Sequence, residues 1–330
     1  MIKTALIGGG YWGPNLARVL LATSELQWIC DVNPDVLDVK FSSQQFKHIQ
    51  KTTDSEDVLE DSQVEAVFIA TPPETHYDLA KSVISKRKHV FVEKPMTHDS
   101  RQAKELVRLA TKARVKLGVG HVFLYSEPVI KVKQLLVGSD IDQPDIGEVK
   151  HVSMTRQNLG RFQAGCDVIY DLAPHDISML LYWFPDFEIQ SAVVSLFQHD
   201  ARLQPDTAYV GIRTPGGMTV SLNYSWIYPK KIREVIIVGD KRGIVYDDGR
   251  SDEPVRIYDK GIFVASNDFG GFICNYRSGD VSSPLVKIKE PLMQEVRAFL
   301  DWVEIDEPIL NDGENGYQVV RIMEKIKEFS

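Results

Sequence analysis

The sequence predicts an α/β protein in which a doubly wound parallel sheet precedes an α+β domain with a large, mostly antiparallel open sheet. Three observations support this prediction. Short apolar runs alternate with helical patterns over the first third of the chain, which is typical of parallel strands covered on both faces. A glycine-rich turn follows the first apolar run, and strand patterns separated by turns fill the second half. The length of 330 residues suits two domains, predicted at 1–122 and 123–330.

The elements of the first predicted domain follow one another in a β-α rhythm. Apolar runs predict strands at 2–7, 26–30, 64–70, 89–92 and 116–119. A helix opens at Pro14, and an amphipathic pattern predicts another helix over 101–111. These alternations predict a doubly wound sheet.

The second predicted domain has a different rhythm. Helical patterns cover 127–137 and 168–183, and Pro185 ends the second of these. Two further helices are predicted near the end of the sequence, at 295–303 and 316–329. Strands are predicted at 148–158, 191–198, 207–214, 218–226, 233–239 and 243–248. The Pro215-Gly216-Gly217 run indicates a hairpin turn. The segment 261–284 has no clear period and is predicted to be irregular.

Composition excludes several classes of protein. The formal net charge is −8, and a nucleic-acid binder would instead carry a basic stripe. No apolar run approaches the roughly twenty residues that a membrane span needs. Cys30, Cys166 and Cys274 form no CxxC pair and no metal-ligand spacing, so we expect reduced thiols, no metal site and a soluble protein of the cytoplasm.

The glycine-rich turn fits the pattern G-x-G-x-x-G over 8–13, between a predicted strand and a predicted helix. Gly8 allows the tight turn, Gly10 lets a pyrophosphate approach the backbone, and Gly13 lets helix and strand pack closely. Gly9, Tyr11 and Trp12 fill the variable positions, so a glycine at position 9 is expected to be harmless. Unpaired N–H groups at the helix N-terminus would bind the phosphates. Glycines also mark ordinary turns, but the strand–loop–helix context favours a dinucleotide site.

Asp31 ends the second predicted strand, 18 positions after Gly13. A carboxylate there accepts hydrogen bonds from the ribose hydroxyls and repels a 2′-phosphate, which favours NAD over NADP. The alternative is an ordinary turn residue at the strand end. Loop and acid together predict an NAD-binding Rossmann domain.

Two further segments carry acid–base chemistry. Lys94 follows an apolar strand, where ligands of open parallel sheets gather, and Pro95 restricts its backbone. Asp171 and His175 are four residues apart, so on a helix they share one face. An imidazole oriented by a carboxylate suits proton transfer. The structural alternatives are a solvated lysine, a capping aspartate and a histidine that only packs.

These residues together carry a resemblance. The loop at 8–13, the Glu93-Lys94-Pro95 tripeptide and Asp171-x-x-x-His175 are similar in order and spacing to the signatures of the Gfo/Idh/MocA oxidoreductases, two-domain sugar and cyclitol dehydrogenases. The segments 120–125, 170–176, 290–292 and 312–316 resemble the branch that acts on nucleotide-linked sugars. The likeness extends over essentially the whole chain.

The resemblance implies a division of labour. Lys94 would contact the reacting oxygen, His175 would move its proton, and Asp171 would position the substrate or His175; the roles of Lys94 and His175 could be exchanged. Thr71, Pro72, His76 and Glu93 match positions that line the family's cofactor cleft. The substrate would lie between the nicotinamide and the open sheet of the second domain. The family also implies a homodimer or homotetramer assembled through the outer face of the sheet.

The leading hypothesis is an NAD-dependent dehydrogenase of a nucleotide-linked sugar. Arg156, Asn158 and Arg161 fall at the end of the strand before the Asp171/His175 helix, where arginine could bind a diphosphate and asparagine could bind hydroxyls. The structural alternative is that these arginines form ordinary surface ion pairs. The functional alternatives are an NADPH-dependent keto-sugar reductase, a cyclitol or free-sugar dehydrogenase, redox-neutral glycoside cleavage with retained NAD, and a non-catalytic NAD- or sugar-sensing regulator.

Overall fold

The structure, a computed structural model, describes residues 1–138, 144–160, 162, 166–266 and 272–329. The chain divides into two compact units. Unit 1 comprises Met1–Tyr125 and Glu290–Glu324, and unit 2 comprises Ser126–Lys289 and Lys325–Ser330. The segment 290–324, which the sequence analysis assigned to the second domain, therefore belongs with the first. The boundary near residue 122 stays a prediction.

Unit 1 contains a six-stranded parallel sheet in the order β3-β2-β1-β4-β5-β6. The strands are β1 (Lys3–Ile7), β2 (Glu25–Cys30), β3 (Gln50–Thr52), β4 (Ala66–Ile69), β5 (His89–Glu93) and β6 (Leu117–Gly120). Its helices are α1 (Gly13–Thr23), α2 (Pro34–Lys40), α3 (Ser55–Glu60), α4 (His76–Ser85), α5 (Ser100–Ala113), α8 (Pro291–Ile305) and α9 (Gly313–Lys327). The doubly wound prediction is confirmed, with its reversal of strand order beside β1.

Buried side chains cover both faces of this sheet. One face packs alternate strand residues against α4, α5 and Val320 of α9. The other face packs Leu6, Phe68 and Phe91 against α1 and α8. Phe299 of α8 closes an aromatic cluster with Phe68 and Phe91, with ring centroids 5.1–5.4 Å apart. These contacts explain why the C-terminal helices belong to unit 1.

Unit 2 contains an eight-stranded mixed sheet in the order β14-β13-β12-β11-β7-β10-β9-β8, in which only the β7–β10 pair is parallel. The strands are β7 (Val149–Leu159), β8 (Ser191–Phe197), β9 (Thr207–Arg213), β10 (Thr219–Ser225), β11 (Ile227–Gly239), β12 (Gly243–Asp247), β13 (Val255–Ser266) and β14 (Phe272–Ser282). Helices α6 (Glu127–Val137) and α7 (Val168–Trp183) cover one face, α7 packing on β9 and β10. The α+β prediction is thereby confirmed.

The segment 261–284 is not irregular, because most of it forms the antiparallel pair of β13 and β14. Its described side chains from 274 to 282 are almost all exposed, so no alternation between core and solvent marks the strand in the sequence. The Pro215-Gly216-Gly217 turn is confirmed: Gly217, with φ of 85°, joins β9 to β10.

Candidate active site

The glycine-rich turn is tight at two glycines and open at the third. Gly8 has φ of 104°, and a Cβ there would stand 2.5–2.7 Å from backbone atoms of Ala70 and Thr71. A Cβ on Gly13 would stand 2.3 Å from the carbonyl oxygen of Gly8. A Cβ on Gly10 would meet nothing within 4 Å. The loop thus requires glycine for packing at 8 and 13, and leaves space beside Gly10 that suits a pyrophosphate.

Asp31 lies directly beside this loop. Its Oδ2 accepts a 2.7 Å hydrogen bond from the Gly9 N–H, and its Oδ1 accepts one of 2.9 Å from Asn33 N–H. The carboxylate therefore fixes the loop, and its contact with a ribose hydroxyl stays a prediction. A Cβ on Gly9 would stand 2.8 Å from the Phe41 ring and 2.9 Å from the Val36 side chain, so the packing beside the loop suits glycine at this position.

Lys40, the last residue of α2, is a loop contact that the sequence analysis did not identify. Its Nζ donates to the carbonyl oxygens of Gly9 (3.2 Å) and Gly10 (2.5 Å). Asp31 accepts from the Gly9 N–H and Lys40 donates to the carbonyl oxygens of Gly9 and Gly10, so both the donor and the acceptor groups of the loop backbone are held. No short motif signals Lys40, since it is 30 residues from the loop.

The N-terminus of α1 receives no side-chain cap. Pro14 has no N–H and the Asn15 N–H donates to the Trp12 carbonyl oxygen at 3.0 Å, so among the first three helical residues the Gly13 N–H is the one that could face an anion. Tyr11 is largely exposed, and Trp12 is partly buried at the N-cap position. This helix end, the open face of Gly10 and the Asp31 carboxylate form a set of donors and acceptors that fits a dinucleotide. When bound, NAD supplies the hydride acceptor that no side chain can provide.

Glu93 and Lys94 stand at the carboxyl end of β5, as predicted, and a cis peptide bond joins Lys94 to Pro95. Glu93 keeps some accessible surface, yet protein encloses its carboxyl, and this burial raises the pKa to about 7 against the opposing influence of the Lys94 charge. The indole N–H of Trp12 lies near the carboxyl outside ordinary hydrogen-bond geometry and lowers the pKa slightly. Glu93 folds back over Gly120, where a Cβ would come within 2.7 Å of its Oε2.

A buried polar network lies next to Glu93. Asn311 and Glu295 are fully buried, and the Asn311 Nδ2 donates to Glu295 Oε1 at 3.0 Å and to the Val119 carbonyl oxygen at 2.5 Å. The hydroxyl of Tyr125 donates to Asn311 Oδ1 at 2.7 Å. Glu295 and Asn311 were not predicted as site residues, although 312–316 was singled out by resemblance.

His121 is a second buried group beside Lys94. Its Nδ1 lies 2.7 Å from Asn315 Oδ1. Burial, aided by the Lys94 charge, lowers the pKa of His121 to about 4, so the imidazole is neutral at pH 7. A neutral ring adds no second positive charge near Lys94.

The prediction for the loop after β4 needs one correction. Thr71 is partly exposed and Pro72 exposed, as a cleft-lining role requires. The His76 ring is instead fully buried, with Nδ1 2.9 Å from the Pro95 carbonyl oxygen and Nε2 2.9 Å from that of Thr71. Burial also lowers its pKa. His76 thus ties the loop after β4 to the one that carries Lys94, and its ring is not placed to touch a cofactor.

In unit 2, Asp171 and His175 lie one turn apart on α7, whose bounds match the predicted helix, with Pro174 inside it. Asp167 caps the helix by accepting from the Tyr170 N–H. From 168 to 180, only Asp171, Leu172 and His175 are partly exposed, whereas every other residue is buried. Asp171 Oδ2 also accepts a 3.1 Å hydrogen bond from the indole N–H of buried Trp226. Asp171 is therefore held in place, and together with His175 it forms the partly exposed polar part of this helix between 168 and 180.

The predicted anion clamp is not supported at Arg156. This side chain is buried on β7, and its Nε donates at 2.5 Å to Asp176 of α7, which is also buried. Alternating strand residues face opposite sides, and position 156 faces the helix that covers the sheet. Asn158 is partly exposed near the end of the strand. Arg161 lies outside the described residues, so its role stays a prediction.

In the described part of the chain, no cluster of three or more histidine, cysteine or acidic side chains is arranged to hold a metal ion. None of the helices described above is both long and apolar enough to cross a membrane.

Residues 2–121 match the profile of the oxidoreductase family's NAD-binding Rossmann fold, and residues 139–329 match its C-terminal α/β domain. The chain belongs to the Gfo/Idh/MocA oxidoreductases. The resemblance that the motifs suggested is thereby confirmed, and the N-terminal domain of this Gfo/Idh/MocA protein binds NAD.

Individual relatives match over very different lengths. Oxidoreductase P35 of Formosa agariphila is 28% identical over 147 residues, 42% of this chain and 46% of that protein. The chain thus spans about half the length of the first curated relatives it matches, with shares of 46%, 53% and 54%. UDP-N-acetylglucosamine 3-dehydrogenase of Acidithiobacillus ferrooxidans is 23% identical over 322 residues, covering 97% of this chain and 94% of the relative.

Two solved structures share the Gfo/Idh/MocA fold over nearly the whole chain. The A. ferrooxidans enzyme has a TM-score of 0.79 at 20% identity, covering 99% of this chain and 97% of that one. GenD2 from gentamicin A biosynthesis, in complex with NAD, has a TM-score of 0.80 at 22% identity, covering 99% and 93%.

Proposed function

We propose that this protein is an NAD-dependent dehydrogenase that oxidises a secondary alcohol of a sugar, the sugar being linked to a nucleotide. One observation carries the proposal: Asp171 and His175 are the partly exposed polar residues of α7 between 168 and 180, in a chain whose Rossmann unit places Lys94 directly after strand β5. A protein that only bound nucleotides would have no need for such an acid–base set.

In the proposed reaction, a bound NAD would accept hydride from the substrate carbon, and His175 would take the proton of the substrate hydroxyl. The products are a ketone, NADH and protonated His175. The Lys94 ammonium donates to the reacting oxygen and stabilises the negative charge that develops on it. Asp171, fixed by the Trp226 indole, orients the substrate or His175. With the roles exchanged, a neutral Lys94 would take the proton, and the ketone and NADH would form together with protonated Lys94 instead of protonated His175.

The nucleotide-linked class of substrate rests on similarity. A relative named as a UDP-N-acetylglucosamine 3-dehydrogenase aligns with nearly the whole chain. Because Arg156 is paired with Asp176, a diphosphate would have to bind to other residues; Asn158 and Arg161 remain the proposed substrate contacts.

Asp31 argues against the NADPH-dependent reductase, because its carboxylate is fixed beside the loop and would repel a 2′-phosphate. A cyclitol or free-sugar dehydrogenase would use the same acid–base set and differs only in substrate. Redox-neutral cleavage would show no net change in NAD.

The experiment is to incubate the pure protein with NAD or NADP and a panel of UDP-sugars, dTDP-sugars, free sugars and inositols, and to follow NADH and product. We expect NADH from a nucleotide sugar. A free sugar or inositol oxidised equally efficiently would contradict the nucleotide-linked class, and no reduction of NAD with any compound would contradict the dehydrogenase.

Two variants test the acid–base set. Lys94→Ala and His175→Ala should each lower turnover by about a hundredfold or more, the usual effect of losing a positioned acid–base group. The His175 variant should still bind NAD. The matched controls Lys47→Ala and His48→Ala replace exposed side chains of the same types. Near-normal turnover in both site variants would mean that the residues are structural.

We also propose a homo-oligomer formed through the face of the unit 2 sheet opposite α7. Along β8, alternate residues are exposed, among them Val193 (72%) and Phe197 (58%), and Tyr209 of β9 packs edge-on against Phe197. Ile236 and Val238 of β11 are exposed as well. A monomer rarely leaves so many apolar side chains on one sheet in water, which supports a second copy as the partner.

A further inference from the structure

Glu295 is a fully buried acidic residue that the proposed reaction does not use. It lies on α8, one turn before Phe299 of the aromatic cluster, and has no accessible surface. A carboxylate is almost never fully buried unless it is paired with a cation. The described contacts of Glu295 include no lysine, arginine or histidine.

The surrounding hydrogen bonds reveal how Glu295 is protonated. Asn311 uses both Nδ2 hydrogens, one toward the Val119 carbonyl oxygen and one toward Glu295 Oε1, while its Oδ1 accepts from Tyr125. Those partners leave one orientation for the Asn311 amide. Glu295 Oε1 is therefore an acceptor, and any proton of this acid resides on Oε2, a buried atom with no hydrogen-bond partner among the described residues.

The neighbouring charges favour a protonated acid. Burial, reinforced by the negative charge of Glu93 on β5, raises the pKa of Glu295 well above its usual range, and the Asn311 hydrogen bond opposes this only in part. Tyr125, after β6, faces the same carboxyl, and Lys94 interacts with Glu93. Two close carboxyl groups rarely ionise together, and the one with some accessible surface here is Glu93.

We propose that Glu295 is a positioning residue that stays protonated and, through Asn311 and the end of β6, leaves Glu93 as the carboxyl of this pair that ionises beside Lys94. The backbone carbonyl oxygen of Asn311 also accepts a 2.8 Å hydrogen bond from the Val119 N–H. Asn311 therefore binds both the N–H and the carbonyl oxygen of Val119, which lies on the edge strand β6. The next residue is Gly120, over which Glu93 folds. An ionised Glu295 would instead put a second anion next to Glu93.

The protonation state can be tested without cofactor or substrate, by comparing the melting temperatures of the native protein and Glu295→Gln across pH. If the pKa of Glu295 is higher in the folded than in the unfolded protein, Glu295 contributes fully to stability at pH values below its unfolded-state pKa. That contribution is lost as the pH rises through the folded-state pKa. Glutamine does not titrate. The Tm of Glu295→Gln minus that of the native protein should therefore grow as pH rises from about 5 to about 9.

Glu304→Gln is the matched control, because Glu304 is exposed on the same helix. The difference between its melting temperature and that of the native protein should not change with pH over the same pH range. A Glu295→Gln difference that is flat or shrinks as pH rises would overturn the protonated state. Titrating groups that do not interact with Glu295 are common to both proteins and cancel in the comparison, whereas Glu93, which interacts with it, contributes to the same difference.

The positioning role rests on the proposed function and is tested with the substrate found there. Glutamine can accept from Asn311 as the neutral acid does, whereas leucine of similar size cannot. Glu295→Gln should keep turnover within about threefold of native, while Glu295→Leu should lose about tenfold or more, in kcat rather than in NAD affinity. The pH profile of kcat/KM should keep its position in Glu295→Gln and move in Glu93→Gln.

A Glu295→Gln profile that moves as far as that of Glu93→Gln would overturn the positioning role, as would equal losses from glutamine and leucine. If no sugar alcohol is oxidised at all, the proposed function fails, while the melting comparison still decides the protonation state of Glu295. The two failures are therefore distinguishable.

Discussion

At the scale of single residues, Asp31 combines two roles that the sequence alone presented as one. Its position after β2 suits a ribose hydroxyl, and its hydrogen bond to Gly9 also holds the phosphate loop. A substitution should thus affect both the choice of cofactor and the affinity for either cofactor.

We predict that the native protein binds NAD more tightly than NADP. Asp31→Ser should reduce the ratio of the two affinities by about tenfold, because the repulsion of the 2′-phosphate is lost. It should also weaken NAD binding, because the hydrogen bond that holds the loop is lost. Titration with each cofactor measures both effects. Asp35→Asn, which changes an exposed acid on α2, is the control. Equal affinities in the native protein would refute the prediction.

The structure has the residues of local patterns on the expected elements, namely the loop at 8–13, Asp31, Lys94 and the pair on α7, while their functional roles stay predictions. Those that the sequence analysis missed depend on distant segments. Glu295 and Asn311 reach Glu93 only because α8 returns to unit 1, and Lys40 reaches the loop only through α2. Arg156 was misjudged because strand alternation does not say which face is covered.

At the scale of elements, the glycine loop separates a packing requirement from a binding requirement. Gly13 touches the Gly8 carbonyl oxygen, whereas Gly10 faces open space. The same substitution, glycine to alanine, can therefore be made at both positions of one loop to separate the two requirements.

We expect Gly13→Ala to lower the melting temperature clearly, because its Cβ would overlap backbone, at a typical loss of about 1–3 kcal/mol. Gly10→Ala should leave the melting temperature of the protein without cofactor nearly unchanged and weaken NAD binding by about tenfold or more. Thermal melts and NAD titrations check both variants. Normal NAD affinity in Gly10→Ala would show that the pyrophosphate does not pass over this residue.

Elements with strong local signals were predicted closely, while weakly patterned ones were not. Helix α7 matches its predicted bounds because Asp167 caps its start and Pro185 follows its end. Strand β14 was missed because its described side chains are almost all exposed and therefore show no alternation. Short α2 and α3 gave too few turns for a period to be visible.

At the scale of the whole molecule, the fold class could be predicted and the division of the chain could not. The switch from β-α rhythm to repeated strands marks two architectures, and both are present. Nothing in the pattern of 290–324 says which sheet its helices cover. That is decided by Phe299 packing on Phe68 and Phe91, which are more than 200 residues earlier.

The exposed sheet face leads to a prediction about assembly. We expect a dimer or tetramer at micromolar concentration, and expect Val193→Lys to shift it toward smaller species, because a charge would be buried at the interface. Sedimentation or mass photometry measures this. Val32→Lys, at a residue 88% exposed in unit 1, is the control. A native monomer under these conditions would contradict the proposed face.

The late return of α8 also determines the order in which the molecule can mature during its synthesis. The ribosome releases β1 to β6 first, yet one face of that sheet waits for residues 291–305 before Phe68 and Phe91 are covered. Throughout translation of unit 2, nascent unit 1 would carry an exposed aromatic surface, which is the kind of surface that chaperones bind. The cofactor-binding half of this protein is thus the first to be made and among the last to be finished.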